Sequence, residues 1–417
     1  MKRFYIFVIA LVFALTLAAC GGRQSDAPSD DAAETEPSAV ETPDYRFYPS
    51  GEKADTPEPL PKDPPEPIET SSEAVRVQEL LDSMSVEEKV GQLFFVQCPA
   101  ADAAEKIAAY HLGGVLLFTR DYKDANENWL TKEQLVDKLQ SYQESAQNDT
   151  GIPLFIGSDE EGGTVTRASR NPNLFPAKLP SPQELYQAGG LKGLLSETMQ
   201  YNEQLLTLGI NVNFAPVCDV STDPNDFIYA RSFGKNAAET MAYTAGMVEV
   251  MNRAGVGCVL KHFPGYGNNV DTHTGIAIDE RPIETFRSSD FLPFQGGIKA
   301  GTPFVLVSHN IVKCMDADLP ASLSPAVHEI LRGELGFDGV VLTDDLTMEA
   351  VQSGAGSDDI ATMALLAGND MVVTADFETQ IAQVLTAVER GILPMETVDA
   401  AVTRVLTAKI RLGLLGE

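Results

Sequence analysis

Eight short apolar segments recur between residues 90 and 376, and their number constrains the fold more than any other feature. They occupy residues 90–97, 113–118, 153–159, 211–219, 257–263, 304–310, 339–345 and 371–376. Their apolar runs are mostly continuous, as expected of parallel strands that are covered on both faces. Amphipathic stretches such as TKEQLVDKLQSYQESAQ separate them. This order predicts an α/β fold, a TIM-type (β/α)8 barrel, in preference to an open doubly wound sheet.

Polar residues stand where these predicted strands end. They are Gln97, Asp159, Asp219, Lys261, His262, Ser308, His309, Asp344 and Asp345. In a barrel of parallel strands the carboxyl ends converge on one face, where the active sites of such barrels lie. The sequence therefore predicts a functional site on that face.

The segment KHFPGYGNNVDTHTG begins at the end of the fifth predicted strand and contains the largest group of candidate catalytic and binding residues. It contributes Lys261 and His262, and then Asp271 and His273 two positions apart. In an extended loop that spacing points both side chains the same way, so the carboxylate can orient and polarise the imidazole. We interpret Asp271 and His273 as a proton-transfer dyad. The alternative is a hydrogen-bonded surface loop without chemistry.

Two adjacent aspartates end the segment GVVLTDD, and they receive different interpretations. Asp344 is a candidate nucleophile because it is a carboxylate at a strand end near the predicted dyad. Capping of the following helix is the alternative for both residues, and for Asp345 we expect capping or an orienting role.

The N-terminus has the features of an exported lipoprotein. Lys2 and Arg3 precede an apolar run that ends in LAAC, which predicts a signal peptide over residues 1–19. The LAAC sequence resembles the lipobox of bacterial lipoproteins, in which Cys20 becomes the lipidated N-terminus; an unlipidated secreted protein is the alternative. Residues 20–73 are rich in proline and acidic residues, which predicts a disordered linker before a folded domain at residues 74–417.

Charge and cysteine content exclude several classes of partner. The net charge of -30 argues against binding nucleic acid and against electrostatic docking on an anionic membrane. Attachment to a membrane would rest on the lipid anchor. We interpret Cys98, Cys218, Cys258 and Cys314 as small core residues, neither disulfide-bonded nor zinc-binding. No metal constellation and no cofactor motif is predicted, and the oligomeric state is left open.

The motifs together resemble the family 3 glycoside hydrolases, specifically the bacterial β-N-acetylglucosaminidases that act on cell-wall fragments. The resemblance rests on SMSVEEKVGQLFFV, LGGVLLFTR, SDEEGGTVTR, GINVNFAPVCDV, RSFG, KHFPGYG, DTH, SHN, LRGELGFDGVVLTDDLTM and ALLAGNDMVV. It implies that Asp344 is the nucleophile and that His273, oriented by Asp271, is the general acid and base. It also implies that Asp159, Arg231, Lys261 and His262 bind a GlcNAc residue, and that the reaction retains configuration.

Some features of the SDEEGGTVTR and KHFPGYG motifs are assigned otherwise. We expect Gly162 and Gly163 to serve a tight turn, and Arg167 to be a structural ion-pair partner. Tyr266 stands where this family usually has His, and Thr272 where it usually has Ser. These departures concern loop geometry and the preference for the leaving group.

Three alternatives stay open at this point. The same site could act as a phosphorylase that releases GlcNAc 1-phosphate, because a histidine does not repel phosphate as a carboxylate would. A β-glucosidase is a weaker reading, since the dyad is absent from those enzymes. The third is a non-catalytic lipoprotein that binds sugars or muropeptides at the mouth of the barrel.

Overall fold

The computed structural model describes residues 72–269, 277–348, 351 and 359–416. The predicted signal peptide, Cys20 and nearly all of the predicted linker lie outside this part of the chain. So do both members of the predicted dyad, Asp271 and His273.

All eight predicted strands are present, and they form one parallel sheet. In chain order the strands are β1 Phe94–Gln97, β2 Gly114–Leu117, β3 Phe155–Ser158, β4 Val212–Asn213, β5 Gly257–Phe263, β6 Ile278–Asp279, β7 Phe304–Val307, β8 Ile311–Val312, β9 Val340–Thr343 and β10 Val372–Thr374. The large sheet has the order β10-β1-β2-β3-β4-β5-β7-β9. A parallel bridge between Leu342 and Met371 joins its two edges. The sheet thus closes into a TIM-type barrel, which confirms the predicted fold class.

Strands β6 and β8 form a separate parallel pair that the sequence did not predict. With two residues each, they are too short to give a periodic signal. Strand β6 begins shortly after residues 270–276, and it pairs with β8 through Ile278 and Ile311.

Helices alternate with the strands, as the amphipathic stretches predicted. They are α1 Ser72–Ser83, α2 Val86–Gln92, α3 Ala103–Ala109, α4 Lys132–Asp149, α5 Pro182–Thr207, α6 Ala237–Ala254, α7 Ile283–Thr285, α8 Phe291–Lys299, α9 Pro325–Glu329, α10 Ile360–Ala367, α11 Phe377–Glu389 and α12 Met395–Arg411. Reciprocal capping boxes start several of them, for example at Ser85, Thr131 and Ser181. Each box satisfies backbone donors that the first turn leaves unpaired, and so defines where the helix begins.

Aromatic side chains fill the interior of the barrel. Phe95 packs edge-on against Phe214, with ring centroids 5.2 Å apart, and Phe155 packs in the same way against Phe304 at 5.1 Å. Helix α12 adds Val405 and Ala408 to the same apolar cluster. Nζ of its Lys409 reaches Oε1 of Gln92, immediately before β1, at 2.6 Å. Helix α12 therefore covers the N-terminal end of the barrel, and the C-terminal end holds the polar residues.

Cys98, Cys218 and Cys258 are buried and reduced, as predicted. The prediction was wrong for Cys314, which is exposed, because it follows β8 in a turn at the surface instead of lying in the core. Across the ranges given above, no helix has the length and hydrophobicity needed to span a bilayer.

Candidate active site

A cavity of about 550 Å³ opens at the C-terminal end of the barrel. Its apolar floor is formed by inward-facing residues such as Leu116, Phe214 and Leu306. The polar residues on its wall are Gln97, Asp159, Glu161, Arg167, Arg231, Lys261, His262, Asp344, Asp345 and Thr347. The structure thus brings together five residues that the sequence analysis assigned to the site: Asp159, Arg231, Lys261, His262 and Asp344.

Three consecutive carboxylates follow β3, and they serve different purposes. Asp159 lies at the cavity, where Oδ1 accepts a hydrogen bond from Nζ of Lys261 at 2.9 Å and Oδ2 accepts from Arg167 at 3.3 Å. Glu160 points into the protein, where it accepts hydrogen bonds from the hydroxyl of Tyr201 at 2.7 Å and from the backbone N of Arg167 at 2.6 Å. Glu160 thereby fixes the end of the loop that runs from Glu161 to Arg167.

Glu161 is the central ionic group of the site. Its two oxygens accept hydrogen bonds from Nε and Nη2 of Arg231 at 2.9 and 2.8 Å, and Oε1 lies 2.6 Å from Nζ of Lys261. Burial alone would raise the pKa of Glu161, but the charges of Arg231 and Lys261 hold that pKa well below its usual range. Glu161 is therefore an ionised carboxylate that forms ion pairs with two cations at once.

The sequence analysis did not assign Glu161. A signal for it was present, because Asp159 and Glu161 are two residues apart and this spacing places both side chains on one side of an extended segment. The same analysis expected Arg167 to be only a structural ion-pair partner. Arg167 does pair with Asp159, but it also lines the cavity, with its guanidinium 5.5 Å from the ring centroid of Phe118.

His262 is held from both sides. Its Nδ1 lies 2.8 Å from Oδ2 of Asp219, and its Nε2 lies 3.0 Å from Nη2 of Arg231. A guanidinium only donates hydrogen bonds, so Nε2 must accept. Nδ1 then carries the hydrogen atom and donates a hydrogen bond to Asp219. The imidazole is thus fixed as the neutral Nδ1–H tautomer, facing the cavity.

Tyr266 belongs to the wall behind this imidazole. It is buried, and its ring packs edge-on against that of His262, with centroids 5.8 Å apart. The preceding peptide bonds Lys261–His262 and Phe263–Pro264 are both cis. The sequence departure at Tyr266 therefore lies directly beside a residue that lines the cavity.

Asp344 and Asp345 follow β9 and make different contacts. Asp345 is an orienting residue: it accepts hydrogen bonds from Gln97 and, at 2.9 Å, from the backbone N of Thr347. Asp344 is half-buried at the cavity, and Oδ1 accepts from the backbone N of Asp345 at 2.9 Å. The turn made by Asp345 thus sets the direction of the Asp344 carboxylate.

His309 does not line the cavity, although the sequence placed it on the same face. It is fully buried, Nε2 donates to the carbonyl oxygen of Asp345 at 3.0 Å, and Nδ1 lies 2.7 Å from Oγ of Ser322. His309 therefore supports the aspartate turn from behind. Gly162 and Gly163 have positive φ angles of 90° and 61°, which confirms the predicted tight turn.

The arrangement suits a neutral, polyhydroxylated ligand. The wall carries both donors and acceptors, and the cations Arg167, Arg231 and Lys261 are each paired with Asp159 or Glu161. Within the part of the chain that the structure describes, no group of three or more His, Cys, Asp or Glu side chains is arranged to hold a metal ion. The site is thus built to bind by charge-assisted hydrogen bonds to uncharged groups.

Comparisons with known proteins agree with this geometry. The sequence model described as "Glycosyl hydrolase family 3 N terminal domain" matches residues 85–408. The β-hexosaminidase LpqI of Mycobacterium tuberculosis is 32% identical over 338 residues, which are 78% of this chain and 83% of that protein. A β-hexosaminidase of Stenotrophomonas maltophilia is 34% identical over 311 residues, which are 73% of this chain and 84% of that protein.

Solved structures give the same result. The family 3 β-N-acetylglucosaminidase of Paenibacillus sp. FPU-7 superposes with a TM-score of 0.73 at 31% identity, covering 80% of this chain and 64% of that one. The structure of LpqI from M. tuberculosis superposes with a TM-score of 0.71 at 32% identity, covering 80% of this chain and 96% of that one. The match thus spans slightly less than two thirds of the Paenibacillus chain. Because the family model and these relatives cover most of the barrel described here, the chain belongs to glycoside hydrolase family 3.

Proposed function

We propose that this protein is a retaining exo-β-N-acetylglucosaminidase that hydrolyses terminal β-linked GlcNAc. The observation that carries the proposal is the cavity in which Asp344 faces Asp159, Arg231, Lys261 and His262. It is closed at its floor by the apolar core of the barrel, so it suits the end of a chain better than its middle. The similarity to proteins named β-hexosaminidase and β-N-acetylglucosaminidase supports the choice of sugar.

The sugar would be held by pairs of charged groups. Carboxylates such as Asp159 accept hydrogen bonds from ring hydroxyls, while Lys261, Arg231 and Arg167 donate to hydroxyl oxygens. Because these side chains are already paired with one another, they are oriented before the sugar arrives. The cost of ordering them is then met by the fold and not by the binding step.

Asp344 would attack the anomeric carbon and form a covalent glycosyl-enzyme. The resemblance to the family assigns His273, oriented by Asp271, to protonate the leaving oxygen and then to remove a proton from the incoming water. Two inversions at the anomeric carbon give net retention. A histidine in this role replaces the second carboxylate of most retaining enzymes, which avoids repulsion of a leaving group that carries its own carboxylate.

The natural substrates would be peptidoglycan fragments, whose muramyl residues carry such a carboxylate. The lipobox-like sequence ending at Cys20 would place the enzyme outside the cytoplasmic membrane, attached by a lipid. The proline-rich, acidic residues after Cys20 would then separate the barrel from the membrane surface. Neither a cofactor nor a nucleic acid enters this proposal.

Release of nitrophenol from 4-nitrophenyl β-N-acetylglucosaminide tests the activity, with the β-glucoside as the control substrate. We expect turnover of the GlcNAc substrate alone, and loss of turnover in Asp344→Asn with retained binding of GlcNAc in calorimetry. The β anomer should be the first product seen by NMR. An unchanged rate in Asp344→Asn would contradict the assignment of the nucleophile. Absence of turnover on either substrate by the folded protein would favour a sugar-binding lipoprotein.

A further inference from the structure

Glu161 contacts two of the proposed sugar-binding residues at once, Arg231 and Lys261, although it follows two other carboxylates in the sequence. Its side chain is 1% exposed, and it bridges Arg231 at 2.8 Å and Lys261 at 2.6 Å. Arg231 is 70 residues away along the chain and reaches the site from the segment after β4. Glu161 thus ties together cations from two different strand ends.

The bridge determines which donors of these two cations face the cavity. Nε and Nη2 of Arg231 are directed at Glu161, and Nη2 also donates to His262. No residue in the described ranges accepts a hydrogen bond from Nη1. Nζ of Lys261 is shared between Asp159 and Glu161, and an ammonium group has a third proton. Both residues line the cavity, so one guanidinium nitrogen and one ammonium proton are available to a ligand there.

We propose that Glu161 is a positioning residue that fixes Arg231, Lys261 and, through Arg231, the tautomer of His262 for recognition of the sugar. This inference rests on the function proposed above. Without the carboxylate, the guanidinium loses the bidentate partner that defines its plane. Misplacement of such groups by about 1 Å lowers the efficiency of an enzyme on the order of 100-fold.

A buried carboxylate between two cations also stabilises the fold, so the test needs a matched control. Asp370 provides one, since its side chain is likewise 1% exposed and it bridges Arg332 at 2.6 Å and Arg404 at 2.7 Å. It accepts a hydrogen bond from the backbone N of Val341, near the start of β9 and away from the cavity. Asp370→Asn therefore makes the same chemical change in a bridge that does not touch the site.

The experiment compares Glu161→Gln, Glu161→Asp and Asp370→Asn with the parent protein, using 4-nitrophenyl β-N-acetylglucosaminide and thermal unfolding. We expect both amide variants to melt at lower temperature. Of these two amide variants, only Glu161→Gln should lower kcat/KM, by about 10- to 100-fold and mainly through KM. Glu161→Asp keeps the charge with a shorter side chain, so it should fold where the amide variant fails and still raise KM.

The pH profile supplies a readout that a merely structural role would not move. The neighbouring carboxylates Asp159 and Glu161 raise the pKa of Lys261 against the lowering effect of burial. Removing the charge of Glu161 lowers that pKa, so KM for the GlcNAc substrate should begin to rise at a lower pH in Glu161→Gln than in the parent. The pH at which KM begins to rise should be unchanged in Glu161→Asp and Asp370→Asn.

The outcomes separate this inference from the function on which it rests. An active parent, with the same KM and the same pH dependence of KM in Glu161→Gln, or the same KM in Glu161→Asp, would overturn the positioning role alone. A parent that turns over neither the GlcNAc nor the glucose substrate would overturn the proposed function and this inference with it. A raised KM in both Glu161 variants, with normal KM in Asp370→Asn, would establish the role.

Discussion

Asp219 holds His262 and the chain beyond it with the two oxygens of one carboxylate. Oδ2 accepts a hydrogen bond from Nδ1 of His262 at 2.8 Å, and Oδ1 accepts one from the backbone N of Tyr266 at 2.7 Å. Asp219 is 1% exposed, so water does not compete for either bond. A residue in the segment after β4 therefore sets both the tautomer of a cavity side chain and the course of the segment that leads towards the predicted dyad.

We expect Asp219→Asn to weaken both functions of this carboxylate. An amide has one acceptor oxygen, and its NH2 group would face a donor, either Nδ1–H of His262 or the backbone N–H of Tyr266. The free energy of unfolding should fall by about 1–3 kcal/mol, and kcat/KM for the GlcNAc substrate on the order of 100-fold. Chemical denaturation and steady-state kinetics measure the two effects. Asp226→Asn, in the same loop with its carboxylate bonded to Oγ of Ser221, is the control and should be close to the parent in kcat/KM.

We expect water, and not phosphate, to accept the sugar from the covalent intermediate. Arg167, Arg231 and Lys261 are each paired with Asp159 or Glu161, so a phosphate dianion entering the cavity would meet these carboxylates together with that of Asp345, while Asp344 is an uncharged ester in the intermediate. Residues 270–276 contribute no Lys or Arg to offset this charge. Products formed in phosphate buffer and in a phosphate-free buffer should both be GlcNAc, as resolved by NMR. GlcNAc 1-phosphate as the main product would show that the site is that of a phosphorylase.

The aromatic interior of the barrel predicts a packing defect at Gly157. A Cβ at this position would lie 2.7 Å from Cε2 of Phe214 and 2.9 Å from Cζ of Phe95. Because both rings are buried and mutually packed, Gly157→Ala should destabilise the protein by about 1–3 kcal/mol. Gly193→Ala, where a Cβ meets nothing within 4 Å on helix α5, should leave the stability unchanged or raise it by up to about 1 kcal/mol. Equal stabilities of the two variants in denaturant titrations would mean that the barrel interior has room that the structure does not show.

The sequence predicted the barrel because each strand carries its own signal, a continuous apolar run followed by a polar residue. The same rule located Asp159 and Asp344, which come directly after strands β3 and β9, and Lys261, which lies near the end of β5. Pairing across long separations has no local signal. Nothing in SDEEGG indicates that Glu161 meets Arg231, and only the closed sheet brings the two together.

Two other differences between prediction and structure concern residues just after a strand, where the sequence does not show which way a side chain points. His309 stands in the polar cluster after β7, but its side chain points away from the cavity and supports the carbonyl group of Asp345. Cys314 resembles the other cysteines in its apolar surroundings, yet the two-residue strand before it ends at the surface. A strand of two residues is too short to show an alternating pattern of apolar and polar residues in the sequence.

Lys409 gives the stability of the protein a distinct dependence on pH. It lies fully buried at the N-terminal end of the barrel, with Nζ 2.6 Å from Oε1 of Gln92 and 4.9 Å from the ring centroid of Phe155. Burial lowers the pKa of Lys409 well below its ordinary value, so above that lowered pKa the folded protein holds a neutral amine. Unfolding then takes up a proton at any pH between that lowered pKa and the pKa of about 10.4 that a free lysine has.

The sign of the effect follows from this proton uptake. Because the unfolded state binds the extra proton, the free energy of unfolding rises with pH, by up to about 1.4 kcal/mol per unit within this window. In Lys409→Met the uptake is absent, so the difference between parent and variant should shift in favour of the parent from pH 7 to pH 9. Denaturant titrations at both pH values measure this difference, with Lys192→Met on the exposed side of helix α5 as the control. A difference that is constant with pH would mean that Lys409 keeps its proton in the folded barrel, held by Gln92 and the face of Phe155.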